Sequence, residues 1–433
     1  MQPWKPLSTG LVLVFAACGD GSGVGSSPDS AASAPAPDAA ASAPAPDAAA
    51  SAPAPDAAAS APAPDAAAAP APDAAAPAPD AAAPAPDAAA PTPDAEAPTP
   101  DAAPDGPVLG PPFEAPAGRW TWIDFPDSTC DDGTPTGIAV RPGDAPGVVI
   151  YLNGGGLCWD AQTCIVLRTS TSGPFGRAEF AQMSQAFEGT VLDPTALGNP
   201  FRGWTHVFVP YCTGDGHTGD RRAHYDAGAN AQPVPFDHTG ARNLDVFLSR
   251  IAATYPAPAQ FALIGPSAGG LGALVNYAHA RAYWRGGQGF VWSDGFPLLP
   301  GDALPDALQS AWNTAWGLDA RLEAVCPGCA ADPARVLPAL GARFPDDRFA
   351  LTGTTRDAVL PPWFGLDVEG YTAAFAAARA VYAMAPNVKT FVVDGAQHTL
   401  MLRPGDVRQN GLNLTRWLEQ MLFGEPAWAD VAP

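Results

Sequence analysis

A serine between small residues, Gly265-Pro266-Ser267-Ala268-Gly269, follows an apolar run (Phe261 to Ile264) and precedes a helix-like run (Leu271 to Tyr283). A nucleophile elbow has this context: a strand ends, the chain turns sharply, and a helix begins behind the hydroxyl. Side chains at Gly265 or Gly269 would clash in so tight a turn, which explains the glycines. The same residues would also suit a plain helix start capped by Ser267. A serine nucleophile needs a base, and the base needs an orienting acid.

The six histidines are His206, His217, His224, His238, His279 and His398. In the chain order Ser, acid, His only the last two qualify. His279 lies inside the helix after the elbow and cannot turn back. His398, in Asp394-Gly-Ala-Gln-His398 after the apolar run Lys389–Val393, is therefore the expected base. Two acids qualify. Asp357 follows the run Arg348–Thr352, and Asp294 follows Gly289–Trp292. Strand order favours Asp357, one strand before the histidine, and leaves Asp294 as the alternative.

An oxyanion needs backbone N–H donors about 3 Å away. Ala268, directly after the serine, supplies one. Gly154-Gly155-Gly156, closing the run Val148 to Asn153, can supply Gly155 and Gly156, because consecutive glycines let backbone approach a ligand closely. With no Lys-Ser/Thr after it, the triplet makes a poor phosphate loop. Asp215, His217, Asp220, His224 and Asp226 form a polar cluster, read here as solvated loop side chains rather than a metal site. No metal and no cofactor are expected.

These residues fall at the ends of apolar runs that read as buried parallel strands: 147–152, 205–211, 261–264, 289–292, 348–352 and 389–393. Helical patterns separate many of them, at 243–255, 271–283, 371–384 and 412–422. Alternating strands and helices predict an α/β class fold, a doubly wound and mostly parallel sheet with function at the carboxyl ends of the strands. Residues 107–433 are expected to form this one domain.

The preceding chain has a different character. Lys5, a short apolar run and small residues before Cys18 read as an export signal over 1–17, too short to span a membrane. Phe15-Ala-Ala-Cys18 resembles a bacterial lipobox, which makes Cys18 the expected lipidation site and a lipid the only membrane attachment. Residues 18–106 are a Pro/Ala/Asp repeat without aromatics. They cannot form a core, and they read as an extended stalk. The net charge of −22 is concentrated there: 13 acids and no Lys or Arg lie in 6–106. Without that segment and Lys5, 31 acids face 21 bases in 107–433, a net of −10 that excludes nucleic acid as an expected partner. The reading places an exported, monomeric protein in a bacterial cell envelope, on the outer membrane or cell surface. Once Cys18 is set aside, six cysteines remain, and an even number in an exported chain suggests disulfides. Cys326-Pro-Gly-Cys329 alone is a weak zinc signal.

Three motifs now stand in order. Asn153-Gly-Gly-Gly-Leu-Cys158 with Cys164, Tyr211-Cys212-Thr-Gly-Asp-Gly-His-Thr-Gly-Asp220 and Gly265-Pro-Ser-Ala-Gly-Gly270 together resemble the pectin acetylesterases and the related Notum carboxylesterases. The resemblance covers most of 107–433 and none of the stalk. It implies an α/β-hydrolase fold and hydrolysis of a carboxylic ester. Ser267 would be nucleophile, Asp357 acid and His398 base, and Gly155, Gly156 and Ala268 would be oxyanion donors. It also implies the pairs Cys130–Cys212, Cys158–Cys164 and Cys326–Cys329. Gly156 stands where some relatives carry Trp, and His217 stands where they carry an aromatic. The expected substrate is a polysaccharide or similar ester of a small acyl group. A lipid-deacylating esterase and a catalytically silent binding protein are the alternatives.

Overall fold

The structure is a computed structural model, and it describes residues 106–226, 228 and 232–433. The signal segment 1–17, Cys18 and all of the stalk but Gly106 lie outside the described residues. Strands β1 (Thr121–Thr129), β2 (Pro135–Arg141), β3 (Gly147–Leu152), β4 (Thr205–Val209), β5 (Arg221–Tyr225), β6 (Val234–His238), β7 (Gln260–Pro266), β8 (Gln288–Asp294), β9 (Arg348–Thr354) and β10 (Val388–Val393) follow in chain order. An eight-stranded sheet takes them in the order β1-β2-β4-β3-β7-β8-β9-β10, and β5 and β6 pair apart as a hairpin. From β4 to β10 every pairing is parallel, and β2 pairs antiparallel with both its neighbours. This is an α/β-hydrolase-like sheet. The parallel strands are mostly apolar because both faces are covered: all of β3 and β4 is buried.

The helices are α1 (Arg177–Met183), α2 (Gly240–Thr254), α3 (Ala268–Tyr283), α4 (Asp306–Trp316), α5 (Leu318–Val325), α6 (Val336–Arg343), α7 (Leu360–Trp363), α8 (Val368–Tyr382) and α9 (Leu414–Phe423). Each buries the face its sequence dictates. On α2, Leu244, Phe247, Leu248 and Ile251 repeat at three and four residues and are 1% exposed or less. Each such burial contributes about 1.5–3 kcal/mol. Asp367 caps α8 by accepting the Gly370 N–H at 2.7 Å, and Gly424 ends α9 at φ 66°.

Helix α3 is central and buried almost all round from Ala268 to Tyr277. Its first turn is Ala-Gly-Gly, because a Cβ at Gly269 would collide with the Leu152 carbonyl at the end of β3. This close approach brings the turn after β3 alongside the turn after β7.

The structure joins Cys130 to Cys212, Cys158 to Cys164 and Cys326 to Cys329. The first bridge ties the end of β1 to the segment after β4. The second closes the loop that follows the glycine triplet.

Candidate active site

The strand ends gather the chemistry. β7 delivers Ser267, which occupies the turn into α3 with φ 53° and ψ −124°. A non-glycine residue there is strained by about 1–3 kcal/mol, and the packed ends of β7 and α3 hold it. Its N–H donates to the Asp294 carbonyl at the end of β8, at 2.7 Å. The next residue, Gly295, lies against the histidine loop: a Cβ there would stand 3.5 Å from His398 Cε1. The serine turn and the histidine loop therefore both flank residues 294–295.

His398 follows β10, and its Nδ1 meets Asp357 Oδ2 at 2.8 Å. The carboxylate is fully determined. Its Oδ1 accepts the Val359 and Leu360 N–H groups at 2.8 and 2.9 Å, so only Oδ2 is left for the imidazole. An ionised partner at Nδ1 places the ring proton there and leaves a lone pair on Nε2. His398 Nε2 is buried and has no hydrogen-bond partner among the described residues. The Ser267 hydroxyl and this nitrogen are not hydrogen-bonded to each other here. Such contacts often tighten only with substrate bound.

Asp294, the alternative acid, points elsewhere. Its Oδ2 accepts the Leu400 and Met401 N–H groups at 2.5 and 2.7 Å. Its Oδ1 accepts the Thr352 hydroxyl at 2.6 Å. Burial pushes its carboxyl up to about 6, against the pull of Thr352, the two amides and His398.

The glycine triplet lies beside the serine, since a Cβ at Gly154 would stand 3.4 Å from Ser267 Cβ. Gly156 has φ 78°, and a side chain there would strike the Thr169 carbonyl, so the position demands glycine on both counts. The N–H groups of Gly155, Gly156 and Ala268 donate to no hydrogen bond among the described residues. Three free donors beside a serine can bind a developing oxyanion.

Three of the other histidines have structural partners. His206 and His238 are buried with Nδ1 against the Trp204 and Thr213 carbonyls. Burial lowers the pKa of both, His206 to about 4. His217, at φ 60°, is buried rather than solvated, and its Nε2 meets the Asn153 carbonyl at 2.8 Å. A carbonyl can only accept, so the proton sits on Nε2. Burial lowers this pKa too, which keeps the ring neutral. His217 thereby anchors the residue that precedes the glycine triplet. Asp215 is buried likewise, and it knots its loop by accepting the His217, Gly219 and Gly240 N–H groups. The polar cluster of the sequence is therefore partly a scaffold; within it only Asp220, His224 and Asp226 are solvent-facing or half so. Its one advance signal was the Gly-Asp-Gly-His-Thr-Gly run, dense in turn residues. Cys158, Cys164 and His238 converge within 4.8 Å, but the sulfurs are bonded to each other and both His238 nitrogens have partners.

An apolar cavity of about 30 Å³ is lined by Leu271, Phe296, Leu304, Trp312, Leu318 and Phe364 among others. Leu271 is one helical turn from Ser267, Phe296 follows Gly295, and Phe364 follows the Asp357 turn.

Residues 122–286 match the family model described as Pectinacetylesterase. The match spans 165 of the 433 residues of the chain. The match contains the glycine triplet and Ser267, and Asp357 and His398 lie beyond it. The chain is 27% identical over 160 residues to a palmitoleoyl-protein carboxylesterase Notum of Schmidtea mediterranea, covering 35% of this chain and 29% of that protein. It is 26% identical over 154 residues to pectin acetylesterase 11 of Arabidopsis thaliana, covering 34% and 37% respectively. The chain thus spans about a third of the length of these relatives. A Drosophila structure of the Wnt deacylase Notum aligns at 16% identity with a TM-score of 0.49, covering 72% of this chain and 95% of that one.

Proposed function

We propose that this protein is an exported serine carboxylesterase of the pectinacetylesterase family that removes acetyl or similarly small acyl groups from a polysaccharide or a comparable ester. The observation that carries the reading is His398: Nδ1 tied to Asp357 at 2.8 Å, Nε2 buried and unbonded, on a loop flanking the Ser267 turn. In this mechanism Nε2 takes the Ser267 proton as Oγ attacks the ester carbonyl. The N–H groups of Gly155, Gly156 and Ala268 stabilise the oxyanion. His398 then returns the proton to the departing alcohol, and water repeats the sequence on the acyl-enzyme.

The relatives named for pectin acetate support a sugar-borne alcohol. The lipid anchor at Cys18 and the stalk of 18–106 remain part of this proposal, as a tether holding the domain away from a membrane.

Hydrolysis of p-nitrophenyl acetate and p-nitrophenyl octanoate by the wild type and by Ser267→Ala tests the reading. The wild type is expected to prefer acetate, and the variant to lose several orders of magnitude while staying folded. Preference for octanoate would favour lipid deacylation. Full activity in folded Ser267→Ala would remove the serine mechanism.

A further inference from the structure

We propose that Asp294 is a positioning residue that holds the His398 loop in register with the Ser267 turn. The inference rests on the esterase reading and assigns a role to a buried acid that the mechanism leaves unused.

Asp294 touches both halves of the site through different atoms. Its carbonyl accepts the Ser267 N–H at 2.7 Å. Its Oδ2 accepts the N–H groups of Leu400 and Met401, two and three residues after His398. Its Oδ1 accepts the Thr352 hydroxyl, which in turn accepts the Trp292 indole N–H at 2.9 Å. Trp292 and Asp294 stand on β8 and Thr352 on β9, so the clamp is bolted to two core strands.

The loop needs such a clamp. Thr399, between His398 and the two clamped amides, has φ 66°. Threonine is β-branched and avoids this region, so the conformation persists only when its surroundings impose it. Charge-assisted bonds to a carboxylate are the strong kind, and here two converge on one oxygen. A loop that relaxed at Thr399 would swing the imidazole away from Ser267, and a displacement near 1 Å costs about 100-fold in rate.

The clamp requires an ionised carboxylate. Burial holds its carboxyl up at about 6, which brings its protonation into the working range. The charged and titratable groups facing it are His398, which favours the anion, and Tyr151 on β3, whose own ionisation the Asp294 charge opposes. Protonation puts a hydrogen on one oxygen and weakens the hold on Leu400 and Met401. The acid side of the pH profile should then contain two ionisations, the His398 base and Asp294.

The test compares wild type, Asp294→Asn and Thr352→Val with p-nitrophenyl acetate from pH 4.5 to 8.5. Asp294→Asn keeps the shape and fits the same space, and Thr352→Val loosens the clamp from its far side if the first variant folds poorly. Circular dichroism and melting confirm the fold. Asp294→Asn is expected to lose about 10- to 100-fold in kcat with KM within about twofold. Its acid limb should fall with the slope of one proton where the wild type is steeper. Thr352→Val should shift the wild-type limb and lose less activity. Folded Asp294→Asn within about twofold of wild-type kcat would overturn the proposal. So would a large loss with an unaltered pH profile, which would leave Asp294 a packing role alone. Failure of the esterase reading is a separate result, seen as full turnover in Ser267→Ala.

Discussion

Removing the Cys130–Cys212 bridge should be the most damaging change to stability among the three disulfides, and the structure gives the scale. The bridge closes a loop of 82 residues, against 6 for Cys158–Cys164 and 3 for Cys326–Cys329. Chain-entropy accounting assigns these loops about 4.5, about 2.2 and about 1.6 kcal/mol at 25 °C. The native state should survive the loss of the first, because Asp131 N–H still donates to the Cys212 carbonyl at 2.8 Å and Cys130 N–H to the Thr134 carbonyl. The effect therefore lives mostly in the unfolded chain. About 4.5 kcal/mol is a large share of a typical domain stability of about 5–15 kcal/mol. The assay is urea unfolding of the three paired Cys→Ala variants under identical conditions. The expected order of loss is Cys130/Cys212, then Cys158/Cys164, then Cys326/Cys329. If the Cys326/Cys329 pair costs as much as the Cys130/Cys212 pair, the entropic reasoning is refuted.

His398→Ala and Asp357→Asn should each lower ester turnover by roughly 10⁴-fold in folded protein, and Asp357→Asn activity within tenfold of wild type would exclude it as the orienting acid. His217→Phe keeps a ring against Tyr211 but deprives the Asn153 carbonyl of its donor; it should lower kcat by roughly 10-fold or more with little change in KM, and unchanged kinetics would show that the glycine triplet needs no such anchor. His206, held near 4, stays neutral when folded while its unfolded form binds a proton below about 6.5, so its contribution is full above that pH and is lost as pH falls toward 4. Asp131 and Asp294, raised to about 6, act with the opposite sign: their cost fades as pH falls from 6. The difference between wild type and His206→Gln cancels the carboxylates, and it should shrink by about 2 kcal/mol from pH 7 to pH 5; a pH-independent difference would remove the linkage.

What could be read from the sequence follows from how each element is buried. β3, β4 and β7 to β10 are legible as largely apolar runs because parallel strands covered on both faces bury most of their side chains. β1 was not visible. Its sequence, Thr-Trp-Ile-Asp-Phe-Pro-Asp-Ser-Thr, carries a proline and a register irregularity after Phe125, as an edge strand allows. Helices α4, α5 and α6 were also missed. α5 and α6 are only eight residues long, and α4 is separated from α5 by a single glycine, so no long period accumulates. The glycine triplet and Ser267 announce themselves by local composition. The choice between Asp357 and Asp294 depends on which carboxyl oxygen faces which loop, and chain order could only favour one. His217 acts on a carbonyl 64 residues earlier, and no local pattern encodes a contact of that reach.

One construction recurs at this site, and it explains why so many acids are buried in a moderately acidic domain. Asp215 gathers the amides of His217 and Gly219 after β4 and of Gly240 at the start of α2. Asp357 gathers Val359 and Leu360 with one oxygen and holds His398 with the other. Asp294 gathers Leu400 and Met401. In each case an irregular loop at a strand end has backbone donors with no strand or helix to receive them. Leaving one such donor buried and unpaired costs about 1–3 kcal/mol. A carboxylate accepts several at once, and convergent donors are what make a buried negative charge tolerable without a cation. Of these carboxylates only the Asp357 one touches the imidazole. The others fix the loops on either side of it, so that the serine turn, the glycine triplet and the histidine, which arrive on β7, β3 and β10, meet in one place.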